Sequence, residues 1–510
     1  MLLKRITLFV ISSMLVAAGF PAAAGVAAVA TSATPLLQKG PKAIPVNATS
    51  ASGPKYGLFS CQVGLSEGQC YDPYQMRHAY GVDNLINAGY TGKGRTIIIV
   101  DAFQSPNIVE ELNTFDSFYG LPGLNGLGNP SDPSLGTFTE IAPQGLTPFD
   151  QTNLDQTGWA EEITLDVLWS HAMAPGANIV LDLSKSDQDP DILAATQYAV
   201  NHNLGDIISQ SFGENESCVD ANVLKAEHLM YASATVKGMT IFASSADEGA
   251  ALQTCDGSSW VKAASSPASD PLVTGVGGTE LHAADYCVTT LGCDPTKNPA
   301  PGTYQGEIAW NEGVPFGDYQ DLIGSTIATG GGFSVLYKAP FFQRLNTHAG
   351  KQRGVPDVAY NAAVLHGVLT YADIPGDVTG WLRFGGTSAG SPQWSAITAI
   401  ADQKAGHRLG FLNAALYLWT LIPSKYNSLF HDITTGNNSA MEFDSDNNPV
   451  TITGFSAGTG WDAATGLGSP KADALVNFLT KFASPNDGNQ AIQDTELPSS
   501  NRHGQHRMSH

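Results

Sequence analysis

"RTIIIVDAF", residues Arg95–Phe103, is an uninterrupted apolar run of β-branched residues that ends in an aspartate. A strand written this way is buried on both faces, which is the habit of parallel sheets covered by helices. Helices and strands alternate after it. "NIVEELNTFDSFYG" (107–120) has helical periodicity, and so does "WAEEITLDVLWSHAMAPGA" (159–177), stopped by Pro175 and Gly176. Strand "NIVLDLS", helix "DILAATQYAVNHN", strand "DIISQSFG", helix "NVLKAEHLMYASATVKG" and strand "MTIFASSAD" continue the alternation to Asp247. The fold class expected is α/β, one large domain with a parallel sheet and helices on both faces. Ligand chemistry in such sheets lies beyond the carboxyl ends of the strands, where the chain places Asp101, "SQSFG" and "SSADEGA". Residues from about 250 to 335 read as a long loop-rich section ending in "ATGGGFSVLY".

The ends of the chain read differently. Lys4 and Arg5 precede the apolar run Ile6–Phe20 and the small residues "PAAAGVAAVA", the pattern of a secretory signal over 1–24, with cleavage as late as residue 30. Residues 25–70, rich in Ala, Pro, Ser and Gly, read as a leader or linker, 71–483 as the folded domain, and 484–510 as a disordered polar tail. The expectation is a secreted, extracellular, monomeric protein. Six cysteines with no metal-type Cys-x-x-Cys pair suit an oxidising compartment, and nearest-neighbour pairing is the simplest of fifteen connectivities. A net charge of −22, from 25 basic and 47 acidic residues, argues against nucleic acid or an anionic membrane as partner. Only 14% of residues are charged, so acid breaks few ion pairs, and the composition tolerates low pH.

Four segments carry chemistry. In "FGGTSAGSPQW" (384–394) a Gly-Gly turn and a helix start at Ser391-Pro392 put Ser388 at a helix N-terminus, which favours negative charge developing beside its hydroxyl; a helix cap is the alternative reading. In "WAEEITLDVLW", Glu162 and Asp166 are four apart and share a helix face, whereas Glu161 lies about 140° away from Asp166. Two touching carboxyls share a proton and one pKa rises; the alternative is a solvated face. "ASSADEGA" sets Asp247 just beyond a strand, where a protonated carboxyl donates to an oxyanion, or where an aspartate simply makes a turn. "FHDITTGNN" and "SAGTGWDAATGLGSP" offer Asp432, Asp462 and the open carbonyls of Gly458 and Gly460, a set suited to calcium unless these are two unrelated polar turns.

Taken in order, these segments resemble the sedolisin family of serine-carboxyl peptidases, including kumamolisin-like members, over roughly residues 71 to 482. The resemblance implies a subtilisin-like fold and an acid-active endopeptidase acting on protein or peptide substrates. Ser388 would attack the peptide carbonyl, Glu162 take its proton, Asp166 orient Glu162, and Asp247 stabilise the oxyanion. One calcium ion would be held by the side chains of Asp432 and Asp462 and the carbonyls of Ile433, Gly458 and Gly460. Phe212 stands in "SQSFG" where many relatives show tryptophan, so an indole hydrogen bond toward Asp101 is missing. The rival enzyme is a subtilase with an Asp-His-Ser triad using Asp101 and His171, but His171 lies roughly 13 Å along the helix from Glu162. A catalytically silent calcium-stabilised binding protein on the same fold is the other alternative.

Overall fold

The computed structural model describes residues 43–52, 56–66, 68–128, 131–313, 325–344, 350–419, 422–483 and 487–494. The signal segment lies outside the described residues. The strands that frame the centre are β1 (Thr96–Ala102), β2 (Phe138–Ile141), β3 (Asn178–Ser184), β4 (Ile207–Gln210), β5 (Thr240–Ser244), β6 (Thr274–Ala283), β7 (Tyr304–Ala309) and β8 (Val358–Asn361). They form one eight-stranded sheet in the order β7-β6-β5-β4-β1-β3-β2, with β8 also paired to β6. Every pairing is parallel except β6 with β7. Ile97 to Val100 are completely buried in β1, which is why that strand is apolar without alternation.

The helices are α1 (Ile108–Tyr119), α2 (Leu154–Met173), α3 (Asp189–His202), α4 (Ala221–Val236) and α5 (Gly390–Ala405). α2 packs against α5 and on β1, while α3 packs against α4 and on β1 and β3, so two helix layers enclose the sheet. α2 begins earlier than its apolar pattern does. Asn153 caps it, its side chain accepting from the N–H groups of Asp155 and Gln156 at 2.9 and 3.3 Å. Every residue from Gln156 to Met173 is buried, so this helix has no solvated face.

The expected loop section of 250–335 holds two strands of the central sheet, β6 and β7. β6 reads "TGVGGTELHA", and its glycines mask the apolar pattern. They are small because neighbours press on them: a Cβ on Gly277 would meet Pro356 at 2.6 Å, and one on Gly278 would meet Ala362 at 2.7 Å and Trp310 at 2.8 Å.

The described part of the segment read as a leader is built into the domain. Ile44–Pro45 and Gln69–Tyr71 are the outer strands of a four-stranded sheet whose inner strands are β9 (His366–Asp373) and β10 (Thr379–Phe384). These pieces are too short to show a period by themselves and exist because β9 and β10 present free edges to pair with. Within the segment read as a tail, Asp487–Asp494 form a helix that packs on α4. The disulfides are Cys61–Cys70, Cys218–Cys255 and Cys287–Cys293. Among the described residues no helix is long and apolar enough to cross a membrane.

The interior holds many carboxyls. Burial pushes Asp182 and Asp402 up to about 8 and Glu111 up to about 7, and burial followed by the Asp189 charge pushes Glu214 up to about 9. Neither oxygen of Asp182 has a hydrogen-bond partner among the described residues. Groups whose pKa is raised by folding bind more protons in the native than in the unfolded chain, where carboxyls titrate near 4. Their stabilisation is complete below about pH 4 and is lost as pH rises through 7 to 9. The thermal midpoint, measured by calorimetry, is therefore expected to be several degrees higher near pH 5 than near pH 8.

Candidate active site

Ser388 sits in a single 3₁₀ turn, Thr387–Ala389, between the end of β10 and the first residue of α5. Gly386 begins that turn at φ 99°, ψ 157°, a backbone state open only to glycine. A Cβ there would also lie 2.6 Å from Asp247 Oδ2. The turn is gripped from below: the Thr387 N–H and hydroxyl donate to Asp247 Oδ1 at 2.7 and 2.8 Å. Asp247 follows Ala246, a non-glycine residue at φ 96°, so the strand end after β5 is bent sharply to present this carboxyl. Asp247 Oδ2 is the oxygen facing the Gly386 side of the turn.

On the other side of the serine stands α2. Ser388 is almost fully buried, as are Glu162 and Asp166. Burial pushes Glu162 above the usual carboxylate range, and the Ser388 hydroxyl, hydrogen-bonding to the carboxylate form, works against that rise. Asp166, one helical turn on, is held well above the usual carboxylate range, first by burial and then by the charges of Asp101 and Glu162; the nearby Ser211 hydroxyl offsets part of this. Asp101, at the end of β1, is likewise held high by burial and by Glu162. Neither oxygen of Asp101 or of Asp166 makes a hydrogen bond of normal geometry among the described residues. Three carboxyls in a dry interior resist ionising together.

The segment that follows β4 lies against the serine turn. The Ser388 hydroxyl reaches the Ser211 carbonyl at 3.5 Å, and the Ser209 and Ser391 hydroxyls meet at 2.9 Å, tying β4 to the start of α5. The Phe212 ring lies 6.2 Å from that of Trp159. His171 is engaged elsewhere: its Nε2 lies 2.8 Å from the Pro122 carbonyl and 3.2 Å from Asp116 Oδ1. The structure thus brings Ser388, Glu162, Asp166 and Asp247 around one turn and leaves His171 out. Asp101 belongs to the acidic cluster too. Its place at the tip of a strand was the available signal, but sequence alone suited it equally to the rival triad.

The second predicted cluster also comes together. Asp432 accepts from Gly460 N–H at 3.0 Å and from the Tyr426 hydroxyl at 3.0 Å. Asp462 accepts from Gly458 N–H at 3.0 Å through one oxygen, and from Ala464 and Thr465 N–H through the other at 2.9 and 2.8 Å. Both aspartates act on the Tyr426 phenol, pushing its pKa further up after burial. Among the described residues the carbonyls of Ile433, Gly458 and Gly460 accept no hydrogen bond. Two carboxylates and three unengaged carbonyls on two loops joined by the Asp432–Gly460 hydrogen bond are donors of the kind a hard cation takes.

No family model matches the chain. Kumamolisin from Bacillus sp. (strain MN-32) is 30% identical over 437 residues, covering 84% of this chain and 67% of that protein. Sedolisin from Pseudomonas sp. (strain 101) is 30% identical over 396 residues, covering 76% of this chain and 58% of that protein. A solved structure of Pseudomonas sedolisin, a serine-carboxyl proteinase complexed with two molecules of pseudo-iodotyrostatin, aligns with a TM-score of 0.64 at 26% identity, covering 82% of this chain and 99% of that one. The architecture is that of a peptidase on a subtilisin-like sheet. The chain belongs to the sedolisin family of serine-type peptidases.

Asp101→Asn keeps the shape of the side chain and removes one of the two carboxyls that could give up the cluster's second proton. The alkaline limb of a kcat/KM–pH profile is expected to move to higher pH in this variant, while the acid limb, set when Asp101 is still neutral, stays. An unmoved alkaline limb would detach Asp101 from the cluster.

Proposed function

We propose that the protein is a secreted endopeptidase, active in acid, that cleaves protein or peptide bonds with Ser388 as nucleophile and Glu162 as its base. The observation that carries this reading is the Ser388 hydroxyl set against the buried carboxyl of Glu162. In the first step Ser388 Oγ forms a bond to the peptide carbonyl carbon as its proton passes to Glu162. Asp166 holds Glu162 in place and shares its remaining proton with the cluster. The oxygen that becomes negative receives a hydrogen bond from protonated Asp247 Oδ2. When the carbon–nitrogen bond breaks, Glu162 returns the proton to the leaving amine, and water then releases the acyl group by the same steps in reverse order.

The acid range follows from the protons. The first proton leaves the Asp101–Glu162–Asp166 cluster while the other two carboxyls are neutral and able to donate to the new anion, so it leaves at lower pH than the later ones. Activity should fall below that first ionisation and again where a second proton leaves the cluster, a bell on the acid side of neutrality. Asp247→Asn, which still donates, should lower the rate. A maximum near pH 8 with loss through pH 6 to 7 would instead indicate a histidine base. Ser388→Ala is expected to lower kcat by about 10⁴–10⁶, and Glu162→Gln comparably, in an assay of protein degradation. Wild-type rates in either variant would overturn the assignment, and no degradation by the wild type would favour a silent binding protein.

The side chains of Asp432 and Asp462 and the carbonyls of Ile433, Gly458 and Gly460 fit one structural calcium ion, whose charge would offset the two carboxylates. An ion bound only by the native state stabilises it by mass action. Chelation is expected to lower the thermal midpoint and added calcium to restore it, with Asp462→Asn losing most of the response. A melting curve unchanged by exhaustive chelation would leave these as ordinary turns.

A further inference from the structure

Away from the serine and from the calcium loops, two imidazoles and a carboxylate converge. Glu280 and His282 are two apart on β6 and so point to one face of the strand, and His366 opens β9 of the second sheet. One ligand atom from each of the three lies within 4.8 Å of the others. Glu280 Oε1 is 3.2 Å from His282 Nε2, and the two rings meet edge to face at 89° with centroids 4.7 Å apart. Ligands about 2.0–2.2 Å from a tetrahedral zinc ion stand roughly 3.3 Å from one another, so the separations need little adjustment.

The outer contacts favour ligation as well. His366 Nδ1 lies 2.9 Å from the Leu281 carbonyl, an atom that only accepts, and 3.7 Å from Glu280 Oε1, so Nδ1 carries the proton and Nε2 is the nitrogen left to ligate. That is the arrangement by which proteins orient a metal-binding imidazole. The strand around it is held too: Asn361 accepts from the Leu281 N–H at 3.0 Å and donates to the His366 carbonyl at 2.7 Å. The His282 side chain is 41% exposed and those of Glu280 and His366 are 18% and 14% exposed, which leaves an entry path and room for a water as fourth ligand. An imidazole-rich set disfavours calcium or magnesium and suits zinc.

We propose that Glu280, His282 and His366 form a zinc site that clips β6 of the central sheet to β9 of the sheet carrying the serine turn. β9 pairs along its length with β10, which ends at Phe384, two residues before Gly386. The site is thus placed to brace the scaffold under Ser388 rather than to touch substrate.

The test uses the full chain, stripped with chelator and returned to excess calcium near pH 7.5, where imidazole is largely neutral. Zinc chloride is added, unbound metal is removed by desalting, and zinc per chain is measured. Wild type is expected to retain one zinc and to melt higher with it. His282→Ala, at a partly exposed position, and Glu280→Gln should bind more weakly by more than the roughly 10–100-fold that loss of an outer-sphere partner costs. Cobalt added in place of zinc should give the intense visible absorption of a tetrahedral site in wild type and not in His282→Ala. Wild type that retains no zinc, variants that bind as tightly as wild type, or wild type without the cobalt signature would each overturn the proposal.

Discussion

Negative charge is kept scarce around the serine. Asp101, Glu162 and Asp166 converge in an interior where water does not reach, and a dry site tolerates one ionised carboxyl far better than two or three. Their ionisations are therefore linked: each charge makes the next harder to form. A group of this kind suits the proposed transfer from a neighbouring hydroxyl without a histidine, because burial makes the carboxyl beside the serine a stronger base than an exposed glutamate. The same constraint explains why α2 is buried on all sides. Its carboxyls titrate usefully only if solvent is kept from them.

The scaffold meets that constraint by holding the reacting groups on elements that cannot easily shift. Glu162 and Asp166 lie mid-helix, Asp101 and Asp247 at the ends of central strands, and Ser388 in a turn that Asp247 grips through both donors of Thr387. The glycine at 386 is required twice over, by its backbone angle and by the Asp247 oxygen that leaves no room for a Cβ. The other interior carboxyls, such as Asp182 and Asp402, are of a piece with this. A protein that keeps protonated acids in its core is at its most stable where those acids are protonated.

Much of this is legible in the chain itself. Periods of 2 and 3.6 are set by local geometry, so the strand–helix alternation from Arg95 to Asp247 could be read directly, and so could the four-residue spacing that lets Glu162 meet Asp166. The disulfides join neighbours in sequence, as the simplest pairing expects. The Gly-Gly turn before Ser388 and the two aspartate loops could be singled out because glycine, aspartate and serine at such spacings have few backbone conformations to choose from.

Contacts between distant segments could not be read this way. β6 passes for a loop in sequence because its glycines answer to Pro356, Ala362 and Trp310, residues far along the chain. The short strands Ile44–Pro45 and Gln69–Tyr71 form only because β10 and β9 offer them edges. Asp101 suits two catalytic schemes equally until the fold sets it beside Asp166 and sends His171 to Asp116 and Pro122. Local propensity and spacing determine which elements exist and which side chains on one element meet. Which elements become neighbours, and hence which carboxyls must share a proton, is decided by long-range packing, whose free energy is spread over the whole core and is written in no single stretch of sequence.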